Sequence, residues 1–282
     1  MKIDSLINPI FCAIDTANFK NAVTLAEQLK GVIGGIKIGK EFFTANGPRG
    51  VKNLSEIGHK IFLDLKFHDI PNTVKGAVRA ANELNCFMLT VHSSGGPKMI
   101  RAASKTKSKK HSALIIAVTV LTSLDNNDLE SVGQDKVDKQ VIRLGKLAIE
   151  NGADGLVASA MEVPALRKEG GSDCLFVVPG VRPLWVNPDD QKRVTTPSRA
   201  IELGVQKQLG CSSFLMTLMK GEPTTFDCSK KRFGWKRKSD TRCSSPNKQT
   251  GVQILLSAWI RHSSISRTAL KNRHNWSICT RT

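Results

Sequence analysis

The first 204 residues alternate short apolar runs with segments whose apolar residues recur at helical spacing. The runs are four to eight residues long, the length of strands buried on both faces, where strict alternation is not required. They occupy residues 9–14, 32–38, 60–65, 86–91, 113–120, 155–158 and 174–178. Between them, the spacing of Ala22, Leu25, Ala26 and Leu29 predicts one helix, and residues 137–148 predict another. Strands that alternate with helices in this way predict a parallel α/β fold.

Two architectures fit this pattern, a doubly wound sheet and a (β/α)8 TIM barrel. A dinucleotide-binding sheet has a glycine-rich turn directly after its first strand, whereas here Ile14 runs into Asp15-Thr16-Ala17-Asn18. Barrel enzymes place their chemistry at the C-terminal ends of the strands. Polar residues recur at those positions here, namely Asp15, Lys37, Asp64, Lys66, His92, Thr122, Ser123 and Arg182. The barrel is therefore the predicted fold.

The alternation ends near Gly204. Thr195 and Thr196 followed by Pro197 predict a capped short helix that stops at this glycine. Residues 205–282 show no sustained period, and only residues 213–219 or 252–260 resemble a strand. We therefore predict an incomplete barrel over residues 1–204, its eighth βα unit missing or replaced, and a basic, disordered or aberrant tail over residues 205–282. Such a barrel would leave strands one and seven as unpaired edges.

Composition sets the class of protein and its compartment. The hydrophobic content of 40% in 282 residues can fill a core. No apolar run approaches the roughly 20 residues that span a bilayer, and the N-terminus lacks the basic and apolar regions of a signal peptide. Seven cysteines without a C-x-x-C pair argue against a zinc ribbon or a disulfide framework. These features predict a cytoplasmic protein that is not inserted in a membrane.

The net charge of +18 would by itself suggest a nucleic-acid partner. However, residues 1–204 carry a net charge of only +6, and residues 205–282 carry +12 together with four of the seven cysteines. Charge runs such as KKRFGWKRK are usually solvated, so the charge does not predict nucleic-acid binding. A basic nucleic-acid binder, with Trp235 stacking on bases, remains an alternative function.

The densest group of chemically active residues is DLKFHDIPNT at residues 64–73. Asp64 and Lys66 share one side of an extended segment, and Asp69 follows three residues later. Neighbouring carboxylates favour a protonated ammonium, so Lys66 is a better candidate for a proton donor than for a nucleophile. For an isolated D-x-K-x-x-D, a surface ion pair would be the better explanation of this spacing.

The motifs in the rest of the sequence favour a catalytic role for these residues over a surface ion pair. DLKFHDIPNTV, together with FCAID, IKIGKEFF, TVHSSGG, VTVLTS and PGVRP followed by DDQKR, resembles bacterial-type orotidine 5'-phosphate decarboxylase over about residues 7–204. The resemblance implies a homodimeric (β/α)8 barrel that converts orotidine 5'-phosphate to UMP in de novo pyrimidine biosynthesis. It implies no metal and no organic cofactor. A related phosphosugar decarboxylase or aldolase, which also uses D-x-K-x-x-D, is a further alternative, although HDIPNT argues against it.

The resemblance also implies the catalytic residues. Lys66 matches the lysine that protonates the ring carbon vacated by the carboxylate. Asp64 matches the carboxylate beside the substrate's carboxyl group, and Lys37 matches the lysine that completes the charged network. Asp69, the fourth implied catalytic residue, and Thr73 match residues that the neighbouring subunit supplies.

Further positions are implied to bind the substrate. They are Asp15, Lys37, Asp64, Ile70, Thr73, Thr122, Arg182 and Gln191. Asp15 matches a ribose-hydroxyl ligand, although a cap on the first helix is its other interpretation. Thr122 matches a pyrimidine-binding position, with Ser123 as the alternative. Arg182 and Gln191 match a loop that closes over the phosphate.

The sequence departs from the family where the principal phosphate site should follow. The family has a Gly-Arg pair after its eighth strand, which offers a backbone N–H and a guanidinium to the phosphate. Nothing in residues 205–282 reproduces that segment. Our hypothesis is that a frameshift near codon 204 produced the tail, and that decarboxylase activity and solubility are impaired.

Overall fold

Eight parallel strands form a closed barrel in the order of the sequence. The computed structural model describes residues 10–107, 112–170, 174–181, 195–200, 203 and 214–218. The strands are β1 (Ile10–Ile14), β2 (Gly35–Ile38), β3 (Lys60–Phe67), β4 (Met88–His92), β5 (Leu114–Val118), β6 (Gly155–Val157), β7 (Leu175–Val181) and β8 (Phe214–Leu218). The predicted barrel fold is confirmed, and each of β1 to β7 overlaps one of the seven predicted apolar runs.

Helices follow the strands along the chain. They are α1 (Phe19–Leu29), α2 (Lys40–Glu56), α3 (Pro71–Asn82), α4 (Gly96–Ser104), α5 (Asn126–Ser131), α6 (Val137–Glu150), α7 (Val163–Gly170) and α8 (Pro197–Ala200). Helix α2 is kinked at Gly47, whose φ of 60° precedes Pro48. Helix α8 begins as predicted, because the Thr196 hydroxyl accepts a hydrogen bond from the Arg199 backbone N–H. Within the described residues, no helix is long and apolar enough to cross a membrane.

The prediction that strands one and seven are unpaired is wrong. Strand β8 pairs with β1, where Ile10 lies opposite Met216, and with β7, where Phe176 lies opposite Phe214. It arises from the run at 213–219, one of the two candidate stretches in the tail, so the eighth strand is replaced rather than missing. A strand of a parallel barrel need not alternate, so no period marked this run and only its short apolar stretch indicated a strand.

Apolar side chains fill the barrel interior below its C-terminal end. The core cluster consists of Phe11, Phe62, Met88, Ile116, Leu175 and Val177. The Phe11 ring meets Phe62 edge to face at 6.3 Å and stacks on Phe87 at 6.1 Å. Gly35 on β2 makes room for this packing, because a Cβ there would collide with the Phe11 ring and the Lys60 carbonyl oxygen. These aromatic rings form a densely packed layer in the barrel interior.

Nearer the C-terminal ends of β3 and β4, the inward-facing positions are polar. In β3, Asp64 follows Phe62 after two residues, and in β4, Thr90 follows Met88 in the same way. Side chains two residues apart in a strand point to the same face. The strands therefore place an apolar layer of side chains and, nearer their C-terminal ends, a charged layer in the same barrel interior.

Candidate active site

Asp64 is the centre of a charged array at the C-terminal end of the barrel. Its carboxylate accepts two hydrogen bonds from the Lys66 ammonium, at 2.8 and 2.9 Å. The Lys37 ammonium lies 3.5 Å from the same carboxylate and 3.6 Å from Asp15. The structure therefore brings together four of the predicted site residues from the ends of β1, β2 and β3.

Asp64 is ionised although it is buried. Burial by itself raises the pKa of its carboxyl group, because a charge is poorly solvated there. The charges of Lys37 and Lys66, with hydrogen bonds from Lys66 and Thr90, outweigh that effect and hold its pKa below the ordinary value. Asp64 is thus a fixed negative charge that orients two ammonium groups.

Lys66 is the solvent-facing member of the array. Its side chain is 27% exposed, against 11% for that of Asp64 and 13% for that of Lys37. Its backbone has a φ of +54°, in the left-handed region that side-chain-bearing residues rarely adopt. Such a conformation persists only where the surrounding structure enforces it, and it is common at functional sites. Lys66 is therefore the member of the array that is most accessible from the open end of the barrel.

Asp15 and Lys37 are held beside the array by the turn that enters α2. Gly39 caps this helix and packs so closely that a Cβ would lie 3.1 Å from Asp15 and 3.6 Å from the Lys37 ammonium. The interpretation of Asp15 as a helix cap is wrong, because Asn18 caps α1 by accepting a hydrogen bond from the Asn21 N–H. Asp15 instead serves as a second anion for Lys37.

A pair of histidines borders the array. The rings of His68 and His92 lie 5.3 Å apart. Burial lowers the pKa of His92 to about 4, assisted by the nearby His68, Lys66 and Lys40. A neutral imidazole at this position adds no further positive charge beside Lys66.

Asp69 and Thr73, the residues predicted to act in the neighbouring subunit, lie on the outside of this chain together with the predicted substrate-binding residue Ile70. Asp69, Ile70 and Thr73 are exposed at the junction of β3 and α3, and Ile70 is 66% exposed. A cavity of about 570 Å³ is lined by His68, Asp69, Ile70, Pro71, Ser94 and Gly95. These residues contribute to an open surface at the C-terminal end of the barrel.

The remaining predicted binding residues are only partly described. Thr122 is buried in the segment after β5, and Ser123 is half-buried. Arg182 and Gln191 lie outside the described residues, as does the tail beyond 218.

Sequence reasoning did not assign a role to Thr90, which the structure places in the array. Its hydroxyl donates a hydrogen bond to Asp64 Oδ1 at 2.9 Å and accepts one from the Lys66 backbone N–H at 2.8 Å. The available signal was a threonine inside the apolar run 86–91, two residues before His92 and so on the same face.

This geometry suits chemistry in which a proton is delivered to a carbon. An ammonium fixed by a buried carboxylate is preorganised, so its charge stabilises an anion that forms beside it without reorganisation. The same ammonium holds a transferable proton within the barrel mouth.

Comparison with known proteins agrees with the fold and shows the family. A sequence model of the orotidine 5'-phosphate decarboxylase / HUMPS family matches residues 8–206. The chain is 50% identical over 205 residues to orotidine 5'-phosphate decarboxylase of Rhodospirillum rubrum, a match that covers 70% of this chain and 83% of the relative. It is 47% identical over 202 residues to the same enzyme of Paramagnetospirillum magneticum, covering 69% and 86%.

A solved structure gives the same result. The crystal structure of orotidine 5'-phosphate decarboxylase from Lactobacillus acidophilus aligns with a TM-score of 0.64 and 30% identity, covering 90% of this chain and 98% of that one. The family match ends at residue 206, which confirms the predicted loss of resemblance just after Gly204. The chain belongs to the orotidine 5'-phosphate decarboxylase / HUMPS family.

Proposed function

We propose that this protein decarboxylates orotidine 5'-phosphate to UMP in de novo pyrimidine biosynthesis in the cytoplasm. The observation that carries the proposal is the Lys66 ammonium, bound twice by the Asp64 carboxylate at the open end of the barrel. The relatives in R. rubrum and P. magneticum, both named for this enzyme, support the choice of substrate.

The chemistry requires a proton donor beside a developing carbanion. Cleavage of the bond between the pyrimidine ring and its carboxyl carbon releases carbon dioxide and leaves the electron pair on the ring carbon. Lys66 transfers a proton to that carbon to form the new C–H bond, and its amine later regains a proton from water. Positive charge aimed at that carbon stabilises the transition state more than the bound substrate.

The other members of the array orient this donor and the substrate. Asp64 holds the ammonium in one direction, and Lys37 balances the negative charge of Asp64 and Asp15. We assign Asp15 to the ribose hydroxyls and Thr122 to the pyrimidine. Arg182 and Gln191 are proposed to bind the phosphate.

The active form is proposed to be a homodimer. Asp69 and Thr73 are exposed on this chain and would complete the site of a second copy. Ile70 is 66% exposed and lies beside Asp69 on the same exposed segment. Asp69 would then add a carboxylate beside the partner subunit's lysine.

The activity is proposed to be weaker than that of the relatives. The segment after residue 204 lacks the Gly-Arg pair that the family resemblance places at the phosphate, so Arg182 and Gln191 would hold the phosphate without it. A weakened phosphate site should raise KM for orotidine 5'-phosphate. Sequencing the gene tests the frameshift hypothesis, which fails if no alternative frame after codon 204 encodes a strand followed by Gly-Arg-Pro.

The test is the release of carbon dioxide from carboxyl-labelled orotidine 5'-phosphate by the purified full chain. Lys66→Ala is the matched control, because it removes the donor and leaves the rest of the array. Measurable turnover that Lys66→Ala abolishes supports the proposal. Absence of turnover by the wild-type chain at millimolar substrate would overturn it.

A further inference from the structure

Strands β3 and β4 change register at the active site. Leu63 pairs with Leu89, but the next pair joins Phe67 to Val91. Residues 64–66 on β3 therefore face a single residue, Thr90, on β4. A bulge of this kind interrupts the ladder of backbone hydrogen bonds and leaves backbone groups that need other partners. It is also where Lys66 adopts its left-handed backbone.

The Thr90 side chain compensates for the interrupted ladder. Its hydroxyl oxygen accepts the hydrogen bond from the Lys66 backbone N–H, at 2.8 Å, and its proton goes to Asp64 Oδ1, at 2.9 Å. A hydroxyl has one proton to donate, and an ionised carboxylate can only accept. The direction of both bonds is therefore fixed, and Thr90 is fully buried.

We propose that Thr90 is a positioning residue for the decarboxylation, because its hydroxyl locks the backbone of Lys66 and the carboxylate of Asp64 to each other across the β3–β4 bulge. The inference rests on the proposed function for its kinetic part only. Thr90 acts through Lys66 and Asp64, and it is not assigned any contact with the substrate.

Thr90 controls the direction of the Lys66 side chain rather than its charge. Lys66 reaches Asp64 from two residues away, so the ammonium position depends on the backbone dihedrals of Lys66 as well as on its side chain. Releasing the N–H from Thr90 frees a strained φ of +54° to relax toward ordinary extended values. That relaxation would rotate the lysine away from the reacting carbon, and a misplacement of about 1 Å can cost about 100-fold in rate.

The experiment compares the full chain with Thr90→Val and Thr90→Ser. Valine keeps the branched shape and removes the hydroxyl, whereas serine keeps the hydroxyl and removes a methyl group. We expect Thr90→Val to lower kcat about 100-fold with KM changed by less than about threefold. Thr90→Ser should retain most of the activity. Thr90→Ala, which cannot overpack the site, is made in parallel in case valine prevents folding.

A second measurement does not depend on turnover. The carboxyl carbon of Asp64 is titrated by ¹³C NMR, with Asp64→Asn used for assignment. Thr90→Val should raise the pKa of Asp64 relative to the wild type, because one of the hydrogen bonds that lower it is lost while Lys37 and Lys66 remain. Thr90→Ser should leave the titration close to that of the wild type.

The outcomes separate this inference from the proposed function. If the wild-type chain releases no carbon dioxide, the proposed function fails and the Asp64 titration alone decides the role of Thr90. An unchanged titration in Thr90→Val, or unchanged kcat in an active chain, would overturn the inference. If the valine and alanine variants do not fold and the serine variant does, the hydroxyl maintains the barrel itself, and the positioning role is refuted.

Discussion

Replacing Asp64 by asparagine tests whether charge holds the array together. The amide has nearly the same shape as the carboxylate and keeps an oxygen that can accept from Thr90. It removes the negative charge that two lysines share, with Lys66 at 2.8 Å and Lys37 at 3.5 Å from the same oxygen. The two ammonium groups would then face each other without an anion between them.

The magnitude follows from these distances. The two nitrogens are no more than about 6 Å apart, and like charges at that distance repel by roughly 3 kcal/mol at an effective dielectric constant of 20. In the wild type the attraction of both groups to Asp64 offsets this repulsion, and the asparagine variant leaves it uncompensated. Lys66 is partly exposed, so water screens some of this repulsion. We expect Asp64→Asn to lower the free energy of unfolding by about 2 kcal/mol, below the 3 to 5 kcal/mol for breaking a fully buried pair.

The assay is urea denaturation of the full chain at pH 7, since urea does not screen charges as guanidinium chloride does. The matched control is Asp135→Asn, which removes the carboxylate of an exposed ion pair with Arg143 at 3.1 Å. The control should change the free energy of unfolding by less than about 1 kcal/mol. Adding Lys37→Met to Asp64→Asn should recover part of the lost stability, because only one ammonium group then remains.

The reasoning is refuted if Asp64→Asn is as stable as the wild type or no less stable than Asp135→Asn. It is also refuted if Lys37→Met lowers the free energy of unfolding of the asparagine variant by as much as it lowers that of the wild type. Either result would show that the array is held by packing rather than by its shared carboxylate.

Two further predictions concern pH and packing. The pKa of His92 is lowered to about 4 in the folded chain from the ordinary 6.5, so between these pH values the unfolded chain binds more protons than the folded chain. The contribution of His92 to stability is therefore complete above pH 6.5 and is lost as the pH falls toward 4. Urea midpoints measured across this range should rise with pH more in the wild type than in His92→Gln, and parallel curves would contradict the prediction. Gly35→Ala should destabilise the barrel by about 1 to 3 kcal/mol, because its Cβ meets Phe11 and the fixed Lys60 carbonyl, whereas Gly76→Ala on α3, with open space, should not destabilise it. Equal thermal denaturation midpoints for the two glycine variants would refute the packing argument.

Local patterns predicted most of the barrel and the centre of the site. Seven strands could be found because each is a short apolar run between amphipathic helices. The contact between Asp64 and Lys66 was predictable because both lie on one strand, two residues apart. The positions of Lys37 and Asp15 beside this pair were predictable because parallel strands in a barrel end at the same face.

Features that depend on pairing between distant segments were not predictable in this way. Thr90 reaches Lys66 only because three residues of β3 face one residue of β4, a register that no local pattern encodes. Strand β8 lies in a segment with no helical or alternating period, and its place is set by its two neighbours β1 and β7. Its pairing closes the barrel, although the segment lacks the phosphate motif of the family.

The most direct test of the account is carbon dioxide release from orotidine 5'-phosphate by the full chain and by Lys66→Ala. The account predicts turnover by the wild type with an elevated KM, and a loss of at least about 100-fold in kcat when Lys66 is removed. Wild-type turnover that Lys66→Ala retains undiminished would contradict the assignment of Lys66 as the proton donor. A wild-type chain that binds the substrate and releases no carbon dioxide would contradict the proposed reaction.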